Sequence, residues 1–160
     1  MESKRELLEN HQIVLILDDD EMTTEGLAAG LARGARTIIT TNDLDGGELV
    51  VEWLKPSHVV SDVRLTGAFG YEGLDFIRFV KRHSPDSRII LMTGDAPDAL
   101  QLEASERGAV GFLRKPFGIG ELDAVLDLMA PPRTGSAEWP DIIRVPLLDT
   151  ILDGRHLFSL

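Results

Sequence analysis

Six polar residues stand at or just behind short apolar runs: Asp18, Asp19 and Asp20 after IVLIL, Asp62 after VVS, Thr93 after IILM, and Lys115 behind VGFL. Each alone is explained as a helix cap or a solvated turn residue. Carboxylates that converge on one place repel each other, however, and are tolerable chiefly when a cation compensates them. A hard divalent ion such as Mg²⁺ fits, because it takes oxygen ligands, is held by one or two carboxylates plus water, and accepts a phosphoryl oxygen as a further ligand. Lys115 adds a second positive charge and Thr93 a neutral donor. The set suits a site where a carboxylate accepts a phosphoryl group, since that transfer needs mainly positioning and charge neutralisation. His11, His58, His83 and His156 are scattered without metal-ligand spacing and read as surface or satisfied polar residues.

The convergence depends on the elements that carry these residues. The apolar runs at 13–17, 37–40, 59–61, 89–92 and 110–113 read as five strands. Between them lie helix candidates at 22–33, 44–54, 74–83, 99–108 and 119–129. In the third, Leu74, Ile77 and Val80 recur three apart, and Ser84 and Pro85 stop it. Five strand–helix units with near-continuous apolar strands predict an α/β fold, a doubly wound five-stranded parallel sheet with helices on both faces. Such a sheet gathers its chemistry at the C-terminal strand ends, where the six residues fall.

The chain has 160 residues, enough for one domain of ordinary size, and no cysteine, which excludes disulfides, thiolate metal sites and a cysteine nucleophile. Its 27 acidic against 16 basic residues give a formal charge of -11, which repels the phosphates of nucleic acid and anionic lipid. No direct nucleic-acid or membrane partner is expected. MESKRELLENHQ contains no apolar signal region, and no run approaches the roughly 20 apolar residues that span a bilayer, so the expected location is cytoplasmic.

In order and approximate spacing, IVLILDDDE, VVSDVRL, IILMTGD and GAVGFLRKPF resemble the receiver domain of two-component response regulators, over roughly residues 12–130. The resemblance implies the flavodoxin-like receiver fold with strand order 2-1-3-4-5. It makes Asp62 the phosphoacceptor, fed by a sensor histidine kinase or a phosphotransfer protein. Asp18, Asp19 and Asp62 would hold Mg²⁺ with the backbone carbonyl of Arg64, and Asp20 would cap a helix. Lys115 would pair with the phosphoryl oxygens, with a cis bond into Pro116. Thr93 would close onto a phosphoryl oxygen while Phe112 turns inward as the switch aromatic, and Gly94 would leave the attacking face open. The face of the fourth helix, fifth strand and fifth helix would mediate a homodimer. The implied role is regulatory, with no turnover beyond the chain's own phosphotransfer and dephosphorylation.

Departures accompany the match. Relatives usually carry proline four residues after the phosphoacceptor and glycine nine after it, whereas Thr66 stands here and the glycine waits until Gly73. The loop RLTGAFGYEG is therefore longer, and Gly67 and Gly70 permit positive φ within it. Two other readings compete. DDDEMT contains the Asp-x-Asp spacing of haloacid-dehalogenase-like phosphatases, with Asp18 as nucleophile and Asp20 as acid, but Lys115 follows Asp95 and Asp98 where that family's lysine precedes the late acids. A pseudo-receiver that only binds a partner would not need the complete residue set.

Beyond the receiver at 1–130, PPRTGSAEWP at 131–140 reads as a linker and 141–160 as an amphipathic C-terminal segment, the start of an output domain. That segment carries ten large apolar residues from Ile142 to Leu160, which marks an interface. VPLLDTILDGRHLFSL resembles the lead-in to EAL-type cyclic-di-GMP phosphodiesterase domains, although the EAL motif is absent from this sequence. The implied output is a domain of that kind.

Overall fold

The computed structural model describes residues 11–32, 36–65, 72–95, 97–128 and 142–144. Strands and helices alternate: β1 Gln12–Leu17, α1 Glu21–Leu31, β2 Arg36–Thr41, α2 Leu44–Leu54, β3 His58–Asp62, α3 Glu72–His83, β4 Arg88–Thr93, α4 Asp98–Arg107, β5 Ala109–Arg114, α5 Ile119–Leu128 and β6 Ile142–Arg144. The sheet runs β5-β4-β3-β1-β2-β6, every neighbour parallel. The five expected strands thus stand in the order 2-1-3-4-5, and no predicted element is missing. The sequence reading did not foresee the sixth strand, which comes from the stretch 141–160 and pairs with β2. Three residues, IIR, are too few for periodicity to separate strand from helix. The expected linker, the glycine-containing part of the long loop at 66–71, and the rest of 141–160 lie outside the described residues.

Side chains along β1 alternate between two cores. Ile13, Leu15 and Leu17 join Phe76, Ile77, Val80, Leu100 and Ala104 under α2, α3 and α4. Val14 and Ile16 join Leu27, Leu31, Leu122 and Leu126 under α1 and α5. Crossovers leading toward β2 therefore lie on one face and those leading toward β5 on the other, as a single hand of connection requires. Stacking the strand ends in register is what brings residues 18, 62, 93 and 115 to one edge.

The element boundaries have local causes. Asp20 caps α1, its carboxylate accepting from the Met22 N–H and, at 2.6 Å, from the Thr23 hydroxyl. Gly108, at φ 114°, ends α4 in the left-handed region. The start of α3 lies against the end of β3: a Cβ on Gly73 would stand 2.4 Å from the Asp62 carbonyl oxygen and 2.7 Å from the Val63 Cα. Only glycine lets the helix approach the end of β3 this closely. The delayed glycine in the sequence thus keeps a packing role at its later position.

At the opposite end of the sheet Arg36 is buried, 1% exposed. Its Nε donates to Gln12 Oε1 at 2.6 Å, Nη1 to Asp123 Oδ1 at 2.5 Å and to the Leu31 carbonyl at 3.2 Å, and Nη2 to Asp127 Oδ1 at 2.9 Å. Gln12 Nε2 in turn donates to the Leu126 carbonyl at 3.1 Å. One guanidinium therefore ties β1, β2, α1 and α5 together, satisfying its buried charge with two carboxylates. Replacing it takes the donor from the buried Gln12 side-chain oxygen and from the Leu31 carbonyl, and removes one cation from beside Asp123 and Asp127. Arg36→Leu is expected to lose about 1–3 kcal/mol in urea unfolding, from the buried acceptors it leaves without a donor. Asp127→Asn, at a half-exposed carboxylate, is expected to lose under about 1 kcal/mol. Equal losses would contradict the clamp.

Candidate functional site

Asp18 stands one residue past β1 and is buried, Asp62 is the last residue of β3, Thr93 the last of β4, and Lys115 the first after β5. The Lys115 Nζ donates to Asp18 Oδ2 at 2.7 Å and to Asp62 Oδ2 at 3.0 Å. The other oxygen of each carboxylate is held by the backbone. Asp18 Oδ1 accepts from the Asp20 N–H at 2.9 Å, and Asp62 Oδ1 from the Arg64 N–H at 3.1 Å. Lys115 itself is fixed by its own N–H, which donates to the Thr93 carbonyl at 2.7 Å. Its peptide bond to Pro116 is cis. Burial pulls the Lys115 ammonium down, but its bonds to Asp18 and Asp62 outweigh this and hold it above the ordinary lysine value.

Asp19, exposed, completes an acidic triad: Asp18, Asp19 and Asp62 each offer an oxygen within 4.8 Å of the others. Hard oxygen donors in this number suit a divalent cation such as Mg²⁺, and three carboxylates facing one ammonium retain negative charge for it to balance. Two predicted residues are not engaged with this cluster. The Thr93 hydroxyl donates to the Asp95 carbonyl at 2.8 Å, inside its own turn. Phe112 is half-buried and packs on the core under α2, α3 and α4. Gly94 is exposed, with open space where a Cβ would stand.

Geometry also separates the competing chemistries. Asp18 is 1% exposed with both oxygens occupied, and Asp20 spends its carboxylate on the α1 cap, so neither is placed as a nucleophile and its acid. Asp62 is the more open carboxylate, its side chain 13% exposed.

Sequence reasoning missed Asn42. Its Nδ2 donates to the Asp18 carbonyl at 2.8 Å and to the Thr24 hydroxyl at 3.1 Å, fastening the acidic turn to β2 and α1. The one available signal was an amide directly behind the second strand, the same position that carries Asp18 behind the first. Beside the site lies a largely apolar pocket of about 390 Å³ lined by Thr23, Leu27, Lys115, Pro116 and Phe117. No helix among the described residues is long and apolar enough to cross a membrane.

Comparison with known proteins bears on the family and the fold. The chain is 28% identical to the photosynthetic apparatus regulatory protein RegA of Cereibacter sphaeroides, over 82% of this chain and 75% of that one. Several other relatives are larger, and the chain spans about a quarter of their length. Among solved structures, a response regulator from Burkholderia pseudomallei with a phosphorylated aspartic acid, a calcium ion and citrate superposes with a TM-score of 0.65 at 28% identity, covering 72% of this chain and 66% of that one. The beryllofluoride-activated NtrC4 receiver domain dimer gives 0.65 at 32% identity, covering 73% and 94%. Residues 14–127 match the response regulator receiver domain family, and with the acidic cluster, the lysine and the sheet order in place, the chain belongs to that family.

Proposed function

We propose that Asp62 accepts a phosphoryl group from the phosphohistidine of a sensor histidine kinase or phosphotransfer protein, and that the resulting state switches an output partner or domain. The observation that carries this reading is the placement of Asp62: half-buried, oriented by Lys115 and the Arg64 N–H, and backed by two further carboxylates. One Asp62 oxygen attacks phosphorus, the bond from phosphorus to the histidine nitrogen breaks, and its electron pair stays with the imidazole, which takes up a proton. Asp18, Asp19, Asp62 and the Arg64 carbonyl would hold Mg²⁺. When bound, the ion would offset charge on the transferring oxygens. Lys115, charged at neutral pH, keeps Asp62 oriented before transfer and pairs with the phosphoryl oxygens after it. The apolar pocket beside Lys115, with Met22 83% exposed on α1, offers the donor protein a surface that leaves Asp62 in reach.

Thr93 and Phe112 carry the switch. The Thr93 hydroxyl exchanges the Asp95 carbonyl for a phosphoryl oxygen, and Phe112 follows inward. One such exchange with the burial of one ring biases an equilibrium by about 1–3 kcal/mol, roughly 5-fold to 150-fold. Leu102 on α4 and Val110 on β5, 62% and 53% exposed, give the α4–β5–α5 face an apolar component for a homodimer. The similarity of the segment from Val145 to an EAL lead-in supports a cyclic-di-GMP phosphodiesterase as the output. The test is cyclic-di-GMP hydrolysis by the full-length gene product with and without Asp62→Asn: absence of hydrolysis removes that output, and equal turnover of the two with a phosphodonor present removes its control by Asp62.

Two results are expected of the receiver itself. Acetyl phosphate or beryllofluoride with Mg²⁺ modifies this chain at Asp62 alone, by mass mapping or fluorine resonance. Asp62→Asn abolishes the response, and Asp19→Asn weakens Mg²⁺ binding on the order of tenfold. Labelling at Asp18 would instead support the phosphatase chemistry. Hydrogen exchange with beryllofluoride changes across 98–128, and identical protection in both states would overturn the switch.

A further inference from the structure

Between β1 and α1, every polar atom of Asp18 is held. Its N–H donates to the Thr41 carbonyl at 3.3 Å, Oδ1 accepts from the Asp20 N–H at 2.9 Å, Oδ2 from Lys115 Nζ at 2.7 Å, and its carbonyl from Asn42 Nδ2 at 2.8 Å. The first three bonds fix the residue and its carboxylate. The fourth fixes the peptide that follows, because the Asp18 carbonyl and the Asp19 N–H lie in one plane. Asp19 is exposed, and among the described residues no hydrogen bond or ion pair grips its carboxylate. Its place within 4.8 Å of Asp18 and Asp62 is therefore set by the backbone.

Asn42 is well anchored for this task. It follows Thr41, which pairs with Leu17 in the β1–β2 ladder, and precedes Asp43, whose Oδ1 caps α2 by accepting from the Gly46 N–H at 2.6 Å. Its second partner is the buried Thr24. That hydroxyl donates its proton to the Glu21 carbonyl at 3.0 Å and so meets Asn42 Nδ2 as an acceptor at 3.1 Å. Both groups facing the Asn42 amide are acceptors, which orients it with the NH₂ toward them. A leucine of similar size would take that donor from the Asp18 carbonyl and let the peptide rotate.

We infer that Asn42 is a positioning residue of the cation site, which keeps Asp19 in reach of the ion by holding the Asp18–Asp19 peptide. The inference rests on the reading of Asp18, Asp19 and Asp62 as a divalent-cation site. Groups that orient metal ligands change affinity by about 10- to 100-fold. A single hydrogen bond acting through one peptide belongs at the lower end of that range.

The test titrates magnesium alone into the full chain while the amide resonances of residues 18–20 are followed. Asn42→Leu is expected to raise the dissociation constant about tenfold, and Asn42→Ala reports the same loss should leucine disturb the fold. Because Asn42 acts through Asp19, adding Asn42→Leu to Asp19→Asn is expected to weaken binding by less than about twofold further, whereas independent losses would multiply. In the metal-free chain the Asp20 amide, bonded to Asp18 Oδ1, is expected to exchange several-fold faster in Asn42→Leu, while Val59 and Val60 in β3 keep their protection. Unchanged affinity in both Asn42 variants, with Asp19→Asn still weakening it, overturns the inference and leaves the cation site standing. Losses that multiply, or protection lost throughout β3, make Asn42 a general structural residue and overturn it as well. Magnesium binding that Asp19→Asn does not weaken removes the cation reading itself, and the inference falls with it.

Discussion

Like charges forced together at the end of a sheet are the constraint on which this receiver depends. Asp18 and Asp62 come from strands that are direct neighbours, so their carboxylates cannot separate without breaking the β1–β3 register. A single ammonium, Lys115, spans them from a strand two places beyond β3. Remaining contacts at that edge keep the charges in place: backbone N–H groups on the free oxygens, the Thr93 carbonyl behind Lys115, and Asn42 under the Asp18 turn. An arrangement held by fixed dipoles and one lysine retains unbalanced negative charge, and that imbalance suits a cation.

The other end of the sheet uses the opposite sign. Arg36 is a buried cation compensated by Asp123, Asp127 and the amide of Gln12. Its partners lie on α5 and β1, so α5 is fixed by directional, charge-assisted bonds as well as by Leu122 and Leu126 in the core. The helix that leads toward the C-terminal segment is thereby locked to the sheet far from Asp62.

Much of this was legible in the sequence because the signals were redundant. The apolar runs set five strands, and the polar residues at the ends of four of them set the site; Asp18, Asp62 and Lys115 meet where parallel strands must place them. What escaped was carried by residues whose role depends on tertiary context. Arg36 at the head of a strand reads as a solvated charge until Asp123 and Asp127, more than 80 residues away, are brought to it. Asn42 reads as a loop residue until the Asp18 carbonyl sits above it. The strand at Ile142–Arg144 is three residues long and is specified by the open edge of β2 more than by its own pattern. Thr93 marks the limit in another way: its position was legible, but its hydroxyl partner, the Asp95 carbonyl, depends on the local turn.

The attachment of the helices is uneven, and the unevenness decides where a change at Asp62 can go. Five residues of α3 are buried, from Gly73 to Val80, and α5 has the Arg36 clamp. α4 buries only Leu100 and Ala104, and its exposed ion pairs from Arg107 to Asp75 and Glu103 add little. β5, the edge strand beneath it, has no fully buried residue and carries Phe112. Displacing α4 and β5 therefore disrupts the least packing, whereas displacing α3 or α5 would open the core or break buried charge pairs. Thr93 ends the strand next to β5 and its carbonyl accepts from the Lys115 N–H, so Thr93 borders the weakly held side. The same sheet that holds the charges rigidly leaves one flank less firmly packed.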